Sequence, residues 1–349
     1  MTDHMRWLEQ KIRRYEHARW TTDDNRRVLP FEWGLEHIGG LANDPDPRAF
    51  LACWVPETIA HSDDFFRATR AADYRFEKIA GGRKGDGALT FTSAVHSPWA
   101  ENNRVWARFL QARKGGAAVV MLPQWNAKWD GQLTLCRWLN ALGISVLKLT
   151  MPYHDRRAIP GHARADYLVG PNVGLTLQAS RQAVTDTRQC LMWLADQGYD
   201  RLGIVGISIG SSVGSITMAH EPLVRAGAFL HVSTYFGDVV RTGMNTSHVW
   251  EGMRGKVSAE ELRFYWSPVS PMPYLARLAG GKRQFLAVAG EHDPTFLPEF
   301  TYEMFAALRA NKVPHETLVL PCGHYSLELT PFAHLAAYRI GTYLMQQLA

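Results

Sequence analysis

Short apolar runs alternate with amphipathic segments from about residue 116 to the end of the chain. Runs such as AAVVML and QFLAVAG have the length and apolar content of buried strands. The segment from Gln178 to Gln197 instead spaces Val184, Leu191 and Leu194 so that they share one face of a helix. Alternation of this kind predicts an α/β fold, with a mostly parallel sheet covered by helices on both faces.

Eight strands are predicted, and two stretches of the chain fall outside their rhythm. Residues 1–70 have a helical, aromatic pattern, which predicts an N-terminal extension packed on a domain of residues 71–349. Residues 234–282 interrupt the alternation, and because connections in such folds are normally short, they predict a small helical lid. The first two strands, separated by a glycine-rich turn, predict an antiparallel pair at the sheet edge. The predicted strands lie in YRFEKIAGG, GALTFTSAV, AAVVMLPQ, ISVLKLTMPY, RLGIVGIS, AGAFLHVST, RQFLAVAG and ETLVLPCG.

The pentapeptide GISIG stands where the strand RLGIV turns into the helix IGSSVGSITMAH. A serine in this strand–turn–helix context is typical of a nucleophile elbow, which makes Ser208 a candidate nucleophile. Gly206 and Gly210 allow the strand and helix backbones to approach closely. The helix directs its first N–H groups at the serine, so Ile209 is predicted to donate one hydrogen bond to an oxyanion. The alternative is that Ser208 only caps the helix.

A candidate acid and a candidate base follow the serine along the chain, each just after a predicted strand. Asp293, in EHDPTF, comes after the strand QFLAVAG, and Glu291 is an alternative two residues earlier. His324 lies in a loop just after the strand ETLVLPCG. The order Ser208, Asp293, His324 is that of α/β-hydrolase triads. Residues 75–349 resemble the α/β-hydrolase superfamily, and the segments that carry the resemblance are GISIG, GEHD and CGH. The resemblance implies a serine hydrolase with a Ser-His-Asp triad.

The loop after the strand AAVVML departs from the superfamily pattern. Superfamily members usually carry a His-Gly pair there, and the N–H that follows the pair completes the oxyanion hole. Here Pro123 and Gln124 take that place, so Trp125 is predicted to give the second N–H. Gln124 or Asn126 could add a side-chain amide, whereas Pro123 has no N–H to donate.

A narrower resemblance is carried by Pro152, Tyr153 and Arg157, which precede the long helix and the elbow. With FEWG near the N-terminus and STYFGDVVRTG after the sixth predicted strand, these residues are similar to abhydrolase domain-containing protein eighteen and its bacterial relatives. The resemblance implies a serine-hydrolase fold with an N-terminal extension and does not define a substrate. Arg156 and Arg157 would line the pocket or form structural ion pairs.

Three side chains are predicted to contact the substrate: Gln124, Tyr153 and Tyr235. Aromatic residues in the loops near Ser208 would either form the walls of an apolar acyl pocket or pack the insertion onto the domain. These residues are Trp125, Trp129, Tyr235, Trp250 and Trp266.

Composition narrows the class of protein. Hydrophobic residues make up 46% and charged residues 20%, as in folded globular proteins, and the net charge of +5 is scattered, so nucleic-acid binding is not expected. The charged N-terminus lacks an apolar signal region and no window holds 18 apolar residues in a row, which predicts a cytoplasmic protein without a membrane span. The cysteines form no C-x-x-C pair, which favours free thiols over disulfides or zinc; they are Cys53, Cys136, Cys190 and Cys322.

These features predict hydrolysis of a carboxylic ester or thioester in a small acyl substrate, through an acyl-enzyme and without metal or organic cofactor. A peptidase or an acyltransferase of the same fold is an alternative, although a peptidase of this type usually carries a propeller, for which seventy residues are too few. A non-catalytic binding protein is a further alternative, and such proteins tend to lose a triad residue. The acyl chain, the leaving group and the oligomeric state stay open.

Overall fold

A nine-stranded sheet forms the centre of the computed structural model, which describes residues 3–22, 25–113 and 115–349. Its order is β1-β2-β3-β5-β4-β6-β7-β8-β9. The strands β1, β2 and β3 are antiparallel to their neighbours, and those from β5 to β9 run parallel. The strands are β1 Arg75–Lys78, β2 Gly87–Thr92, β3 Arg104–Leu110, β4 Ala117–Leu122, β5 Ser145–Leu149, β6 Arg201–Ile207, β7 Val224–Leu230, β8 Gln284–Gly290 and β9 His315–Leu320.

The predicted fold class, a mostly parallel sheet with helices on both faces, is confirmed, but the predicted number of eight strands is wrong. The additional strand is β3, in which Val105, Ala107 and Phe109 are buried while the intervening residues are partly exposed. Such alternation is typical of an antiparallel strand with one solvent-exposed face. The predicted strands are identified mainly from continuous apolar runs, a pattern that β3 lacks. The antiparallel pair β1–β2 at the sheet edge is confirmed.

Helices cover the two faces of the sheet because successive strand residues point to opposite sides. In β4, Val120 and Leu122 join the core beneath α6 and α7, while Val119 and Met121 join the core beneath α5 and α12. The helices are α1 Asp3–Thr22, α2 Pro47–Ala60, α3 Ser62–Phe65, α4 Ala100–Asn103, α5 Leu133–Ala141, α6 Val173–Asp196, α7 Ile209–His220, α8 Phe236–Thr242, α9 Ser247–Met253, α10 Ala259–Tyr265, α11 Pro298–Ala310 and α12 Phe332–Gln347. None of the described helices is both long and apolar enough to span a bilayer.

The N-terminal segment is joined to the sheet domain at the start of α6. Helix α6 begins one turn earlier than its apolar pattern predicts, because the Asn172 side chain accepts a hydrogen bond from the Leu175 N–H (2.8 Å) and caps the helix. The Gly174 N–H donates to the Trp33 carbonyl (2.9 Å). A Cβ at Gly174 would overlap the Gly34 carbonyl oxygen, so this contact requires glycine.

The insertion between β7 and β8 is made of short helices, α8 to α10, followed by 3-10 turns over Ser267–Val269 and Met272–Leu278. Trp266 is fully buried and donates from its Nε1 to the Val173 carbonyl (3.3 Å). This tryptophan therefore packs the insertion against α6 and does not form a pocket wall.

A buried ion pair joins α6 to the loop after β5. Arg157 donates to Asp186 (Nη1–Oδ2, 2.8 Å), and both side chains are 0% exposed. Arg157 also donates to the Asn102 carbonyl from Nε and Nη2 (2.9 and 2.7 Å), while Ser93 Oγ donates to Asp186 Oδ1 (2.6 Å). The guanidinium of Arg156 instead lies over the Trp129 ring, 4.3 Å from its centroid. Arg157 is thus a structural residue.

We expect Asp186→Asn to lower the free energy of unfolding by about 3–5 kcal/mol, because it leaves the buried Arg157 charge without its counter-charge. Urea denaturation measures this loss. The control is Asp196→Asn on the same helix, whose pair with Arg70 is exposed (38% and 62%) and contributes at most about 1 kcal/mol. Equal losses in the two variants would contradict the prediction.

Candidate active site

Ser208 occupies a sharp turn between β6 and α7. Its backbone has φ 57° and ψ −121°, a conformation that costs free energy in any residue other than glycine. A Cβ at Gly206 would overlap the Gly210 carbonyl oxygen, and a Cβ at Gly210 would overlap that of Leu122. The Ser208 N–H donates to the Leu230 carbonyl (2.9 Å), which ties the turn to β7. The two glycines therefore let three backbone segments converge behind the serine.

Asp293 follows β8, and its buried carboxylate accepts four hydrogen bonds. Oδ1 accepts from the N–H groups of Thr295 and Phe296 (2.8 and 2.9 Å). Oδ2 accepts from Nδ1 of His324 (3.0 Å) and from Nδ1 of His231 (2.7 Å). Burial alone would raise the pKa of Asp293, but the two histidines and their hydrogen bonds hold it well below its ordinary value. The carboxylate is therefore ionised and acts only as an acceptor.

His324 follows β9, and its imidazole stacks on Phe296 with 5.7 Å between the ring centroids. Burial lowers the pKa of His324, but the charge and hydrogen bond of Asp293 outweigh this effect and raise the pKa above 6.5, with smaller contributions from Glu16 and Glu328. Since Nδ1 donates to Asp293, Nε2 is the nitrogen that can accept a proton. The structure thus joins Asp293 to His324 and places them beyond the carboxyl ends of β8 and β9, which run parallel to β6 and lie two and three strands away from it.

Glu291, the alternative acid, is exposed, and its N–H donates to the Leu320 carbonyl (2.8 Å). The carboxylate in contact with His324 is that of Asp293.

The two predicted oxyanion donors, Ile209 and Trp125, lie in the first turn of α7 and in the loop after β4. Ile209 is the first residue of α7, a position whose N–H has no acceptor within the helix. Trp125 lies in a turn closed by a hydrogen bond from the Ala127 N–H to the Gln124 carbonyl (3.2 Å). The start of this loop, Leu122 and Pro123, lies against Gly210. The loop and the helix N-terminus therefore meet at the turn that carries Ser208.

A buried histidine fixes the loop that carries Trp125. The Asn126 N–H donates to His154 Nε2 (2.8 Å), and His154 Nδ1 donates to the Pro152 carbonyl (2.8 Å). This tautomer is neutral, and burial lowers the pKa of His154 to about 4. Asn126 Oδ1 accepts from the Ala165 N–H (2.8 Å), so its side-chain amide is engaged in holding the loop.

The three predicted substrate contacts have different surroundings. Gln124 accepts from Gln132 Nε2 (2.9 Å), and Tyr235 is half-buried under the Arg263 guanidinium, 4.0 Å from the ring centroid. The buried Tyr153 ring packs edge-on against Trp99 and Tyr167 in the core.

Two further side chains, His231 and Glu16, lie at this site and are not among the residues predicted from the sequence. His231 directly follows β7, so the strand-end argument that selected Asp293 would also have selected it. Glu16 is buried in α1; its Oε1 accepts from the Ser326 N–H and Oγ (2.8 and 2.7 Å) and its Oε2 from the Tyr325 N–H (2.9 Å). Nothing in the charged N-terminal sequence indicates this contact, which holds the loop beside His324.

Within the described residues, His231, Asp293 and His324 also form a group whose ligand atoms lie within 4.8 Å of one another, close enough to hold a metal ion. The hydrogen bonds already account for this closeness, because each imidazole directs its Nδ1 proton at the carboxylate. A metal ion would have to displace both protons.

A cavity of about 890 Å³ opens between the segment 25–32 and the start of α6. Its lining contains Arg164 but not Ser208, Asp293 or His324. The Arg164 guanidinium lies 4.9 Å from the centroid of the Trp125 ring, so this residue connects the cavity to the loop next to the elbow.

Comparisons with known proteins bear on this geometry. The prolyl oligopeptidase family model (Peptidase S9) matches residues 174–327, a range that contains Ser208, Asp293 and His324. Acetyl xylan esterase 1 from Thermoanaerobacterium sp. JW/SL YS485 shares 15% identity at a TM-score of 0.60, over 84% of this chain and 94% of that one. The chain has the α/β-hydrolase fold. No protein with a curated description matches the sequence significantly.

Two further α/β-hydrolase structures are similar. Acetyl xylan esterase from Paenibacillus sp. R4 shares 13% identity at a TM-score of 0.59, over 90% of this chain and 99% of that one. Pyrococcus horikoshii acylaminoacyl peptidase shares 10% identity at a TM-score of 0.55, over 80% of this chain but only 42% of that one. The family match supports a serine hydrolase, these neighbours show its fold, and ester and peptide substrates stay open.

We expect Glu16→Gln to destabilise the loop beside His324, because an amide group cannot accept all three hydrogen bonds that the carboxylate accepts. The free energy of unfolding should fall by about 1–3 kcal/mol, and the Tyr325 and Ser326 amides should exchange faster with solvent. Thermal denaturation and amide hydrogen exchange measure these effects. The control is Glu9→Gln on the same helix, which removes only an i,i+4 pair with Arg13. Exchange rates that match those of the control would contradict the role of Glu16.

Proposed function

We propose that this protein is a serine hydrolase that cleaves carboxylic esters or thioesters of small acyl substrates through an acyl-enzyme on Ser208. The observation that carries the proposal is the hydrogen bond between His324 Nδ1 and Asp293 Oδ2 (3.0 Å), at the sheet edge where Ser208 sits in a strained turn. A serine in such a turn, with a histidine oriented by a carboxylate, is the arrangement that activates a hydroxyl.

The reaction follows from the roles of these groups. Ser208 Oγ attacks the carbonyl carbon while His324 Nε2 takes its proton, and Asp293 stabilises the resulting imidazolium. The N–H groups of Ile209 and Trp125 donate to the oxyanion, each contributing about 3–4 kcal/mol to the stability of the transition state. The tetrahedral intermediate collapses as His324 returns the proton to the leaving alcohol or thiol. Water, activated by the same histidine, then releases the acid.

Ester cleavage is proposed ahead of peptide cleavage because this chain matches nearly the full length of the similar esterases but less than half of the similar peptidase. The acetyl xylan esterases are matched over 94% and 99% of their length, and the acylaminoacyl peptidase over 42%. Peptide cleavage is the second candidate, since the family match over residues 174–327 is to a peptidase family. Acyl transfer and non-catalytic binding are further alternatives.

We also propose that the protein is related to abhydrolase domain-containing protein eighteen and its bacterial relatives. Of the residues that carry the resemblance, Tyr153 and Arg157 are buried and build the core beside α6. We therefore propose Gln124 and Tyr235 as substrate contacts and assign Tyr153 a packing role.

We expect a fluorophosphonate probe to add once to the wild-type chain and not to Ser208→Ala, because only an activated serine attacks the phosphorus centre. Intact mass spectrometry measures the adduct. Ser215→Ala is the control: this serine lies about two turns further along α7, donates to the Ser211 carbonyl (2.7 Å), and should leave labelling intact. The absence of an adduct on folded wild-type protein would reject the proposal in favour of a binding protein.

The same variants separate the two substrate classes. p-Nitrophenyl acyl esters of graded length are compared with acyl-peptide anilides, and Ser208→Ala should reduce kcat for the preferred class by about 10⁴–10⁶-fold. Turnover of anilides but not of esters would favour the peptidase.

We expect kcat/KM for an ester to fall as the pH drops, with a midpoint above 6.5. His324 must be neutral to accept the serine proton, and the Asp293 carboxylate raises its pKa. A titration from about pH 5 to 9 with a non-ionising ester measures the midpoint. A midpoint at or below 6.5 would contradict the proposed role of Asp293.

A further inference from the structure

One oxygen of the Asp293 carboxylate is shared by two imidazoles. His231 Nδ1 lies 2.7 Å from Oδ2, closer than the 3.0 Å of His324 Nδ1. The two rings are 4.2 Å apart between centroids and are inclined by 36°. A Ser-His-Asp mechanism needs only one of these histidines, so the second requires an explanation.

The backbone at His231 directs its side chain to this position. His231 directly follows β7 and has a φ of 60°, in the left-handed region that side-chain-bearing residues rarely adopt. Its N–H donates to the Val288 carbonyl (2.8 Å), so the turn is hydrogen-bonded to β8, the strand that precedes Asp293. Strain of this kind persists where the surroundings hold it, commonly at active sites.

We propose that His231 is a positioning residue of the triad: it occupies one lone pair of Asp293 Oδ2, directs the other at His324, and limits how strongly the carboxylate holds the charged form of His324. The inference rests on the proposed function and extends it to a fourth residue.

The geometry of the carboxylate supports this role. A carboxylate oxygen has two lone pairs, and Oδ1 is already bound by two backbone N–H groups. With His231 in place, all four acceptor directions of Asp293 are used, and the carboxylate cannot rotate. His324 Nδ1 is then held on the one remaining lone pair, which fixes both its tautomer and the direction of its Nε2.

The charges of the two imidazoles lead to the same conclusion. The charged or titratable groups that act on this pair are Asp293, Glu16 and, for His324, Glu328. Burial, followed by the nearby His324, lowers the pKa of His231, whereas Asp293 raises the pKa of His324. His231 therefore stays neutral while His324 gains a proton. The His231 Nδ1–H group withdraws negative charge from Asp293 Oδ2 and so weakens the attraction of the carboxylate for the His324 imidazolium.

A comparison of His231→Phe with His231→Asn tests the inference. Phe keeps the ring volume but has no donor, whereas the Asn amide can place an N–H near the position of Nδ1. We expect His231→Phe to move the acidic midpoint of kcat/KM upward by about 0.5–1 pH unit, because Oδ2 then stabilises the His324 imidazolium more strongly. Its kcat should fall about tenfold as His324 loses its fixed orientation. His231→Asn should return both values toward those of the wild type.

A spectroscopic measurement tests the geometry without turnover. Protons shared between an imidazole Nδ1 and a carboxylate resonate at low field in proton NMR spectra. The wild type should show two such signals, and His231→Phe should keep only that of His324. If His231→Phe does not fold, His231→Gln replaces it, because the longer amide reaches the position of Nε2 rather than Nδ1 and should behave like Phe.

Three results would overturn the inference: an unchanged midpoint and kcat in His231→Phe, an Asn variant indistinguishable from the Phe variant, or a single low-field signal in the wild type. Failure of the proposed function is read separately. In that case the wild type takes no fluorophosphonate adduct, while the low-field signals still report whether the two histidines share Asp293.

Discussion

Three backbone segments converge behind Ser208 at distances that exclude even a methyl group. The end of β6, the first turn of α7 and the end of β4 meet at Gly206, Gly210 and the Leu122 carbonyl. The strained φ of Ser208 is maintained because its neighbours are tied to β7 and to the helix. The same contact brings the loop of Trp125 to the helix N-terminus. A single packing constraint thus fixes the turn that carries Ser208 and brings together the two segments that carry the candidate oxyanion donors.

The buried carboxylates of Asp186 and Asp293 both accept hydrogen bonds from nitrogen-bearing side chains, but the two have different roles. Asp186 is paired with Arg157, a group that stays protonated, so the pair fixes the fold and has no proton to exchange. Asp293 is surrounded by two backbone N–H groups and two imidazoles, which can titrate. The chemical nature of the donors therefore decides whether each site can take part in proton transfer.

Local patterns in the sequence predict Ser208, Asp293 and His324, since each follows a strand of a parallel sheet whose carboxyl ends share one edge. The same rule applied to His231 would have been correct, but a histidine after a strand has no distinctive neighbours. Tyr153 also lies just beyond a strand, yet it packs into the core, because strand-end position does not determine the direction of a side chain. Glu16 was out of reach, since its contact depends on how α1 crosses the folded domain.

The hydrogen bonds from the loop beside His324 to Glu16 have a practical consequence for dissecting this chain. The change in sequence pattern near residue 70 would suggest expressing the sheet domain alone. Such a fragment would lack the carboxylate that holds the Tyr325 and Ser326 amides, and the space beside Gly323 into which Glu16 fits would be open to water. The smallest unit that keeps the histidine loop intact therefore reaches back into α1, and the N-terminal helix contributes a buried side chain to the candidate active site.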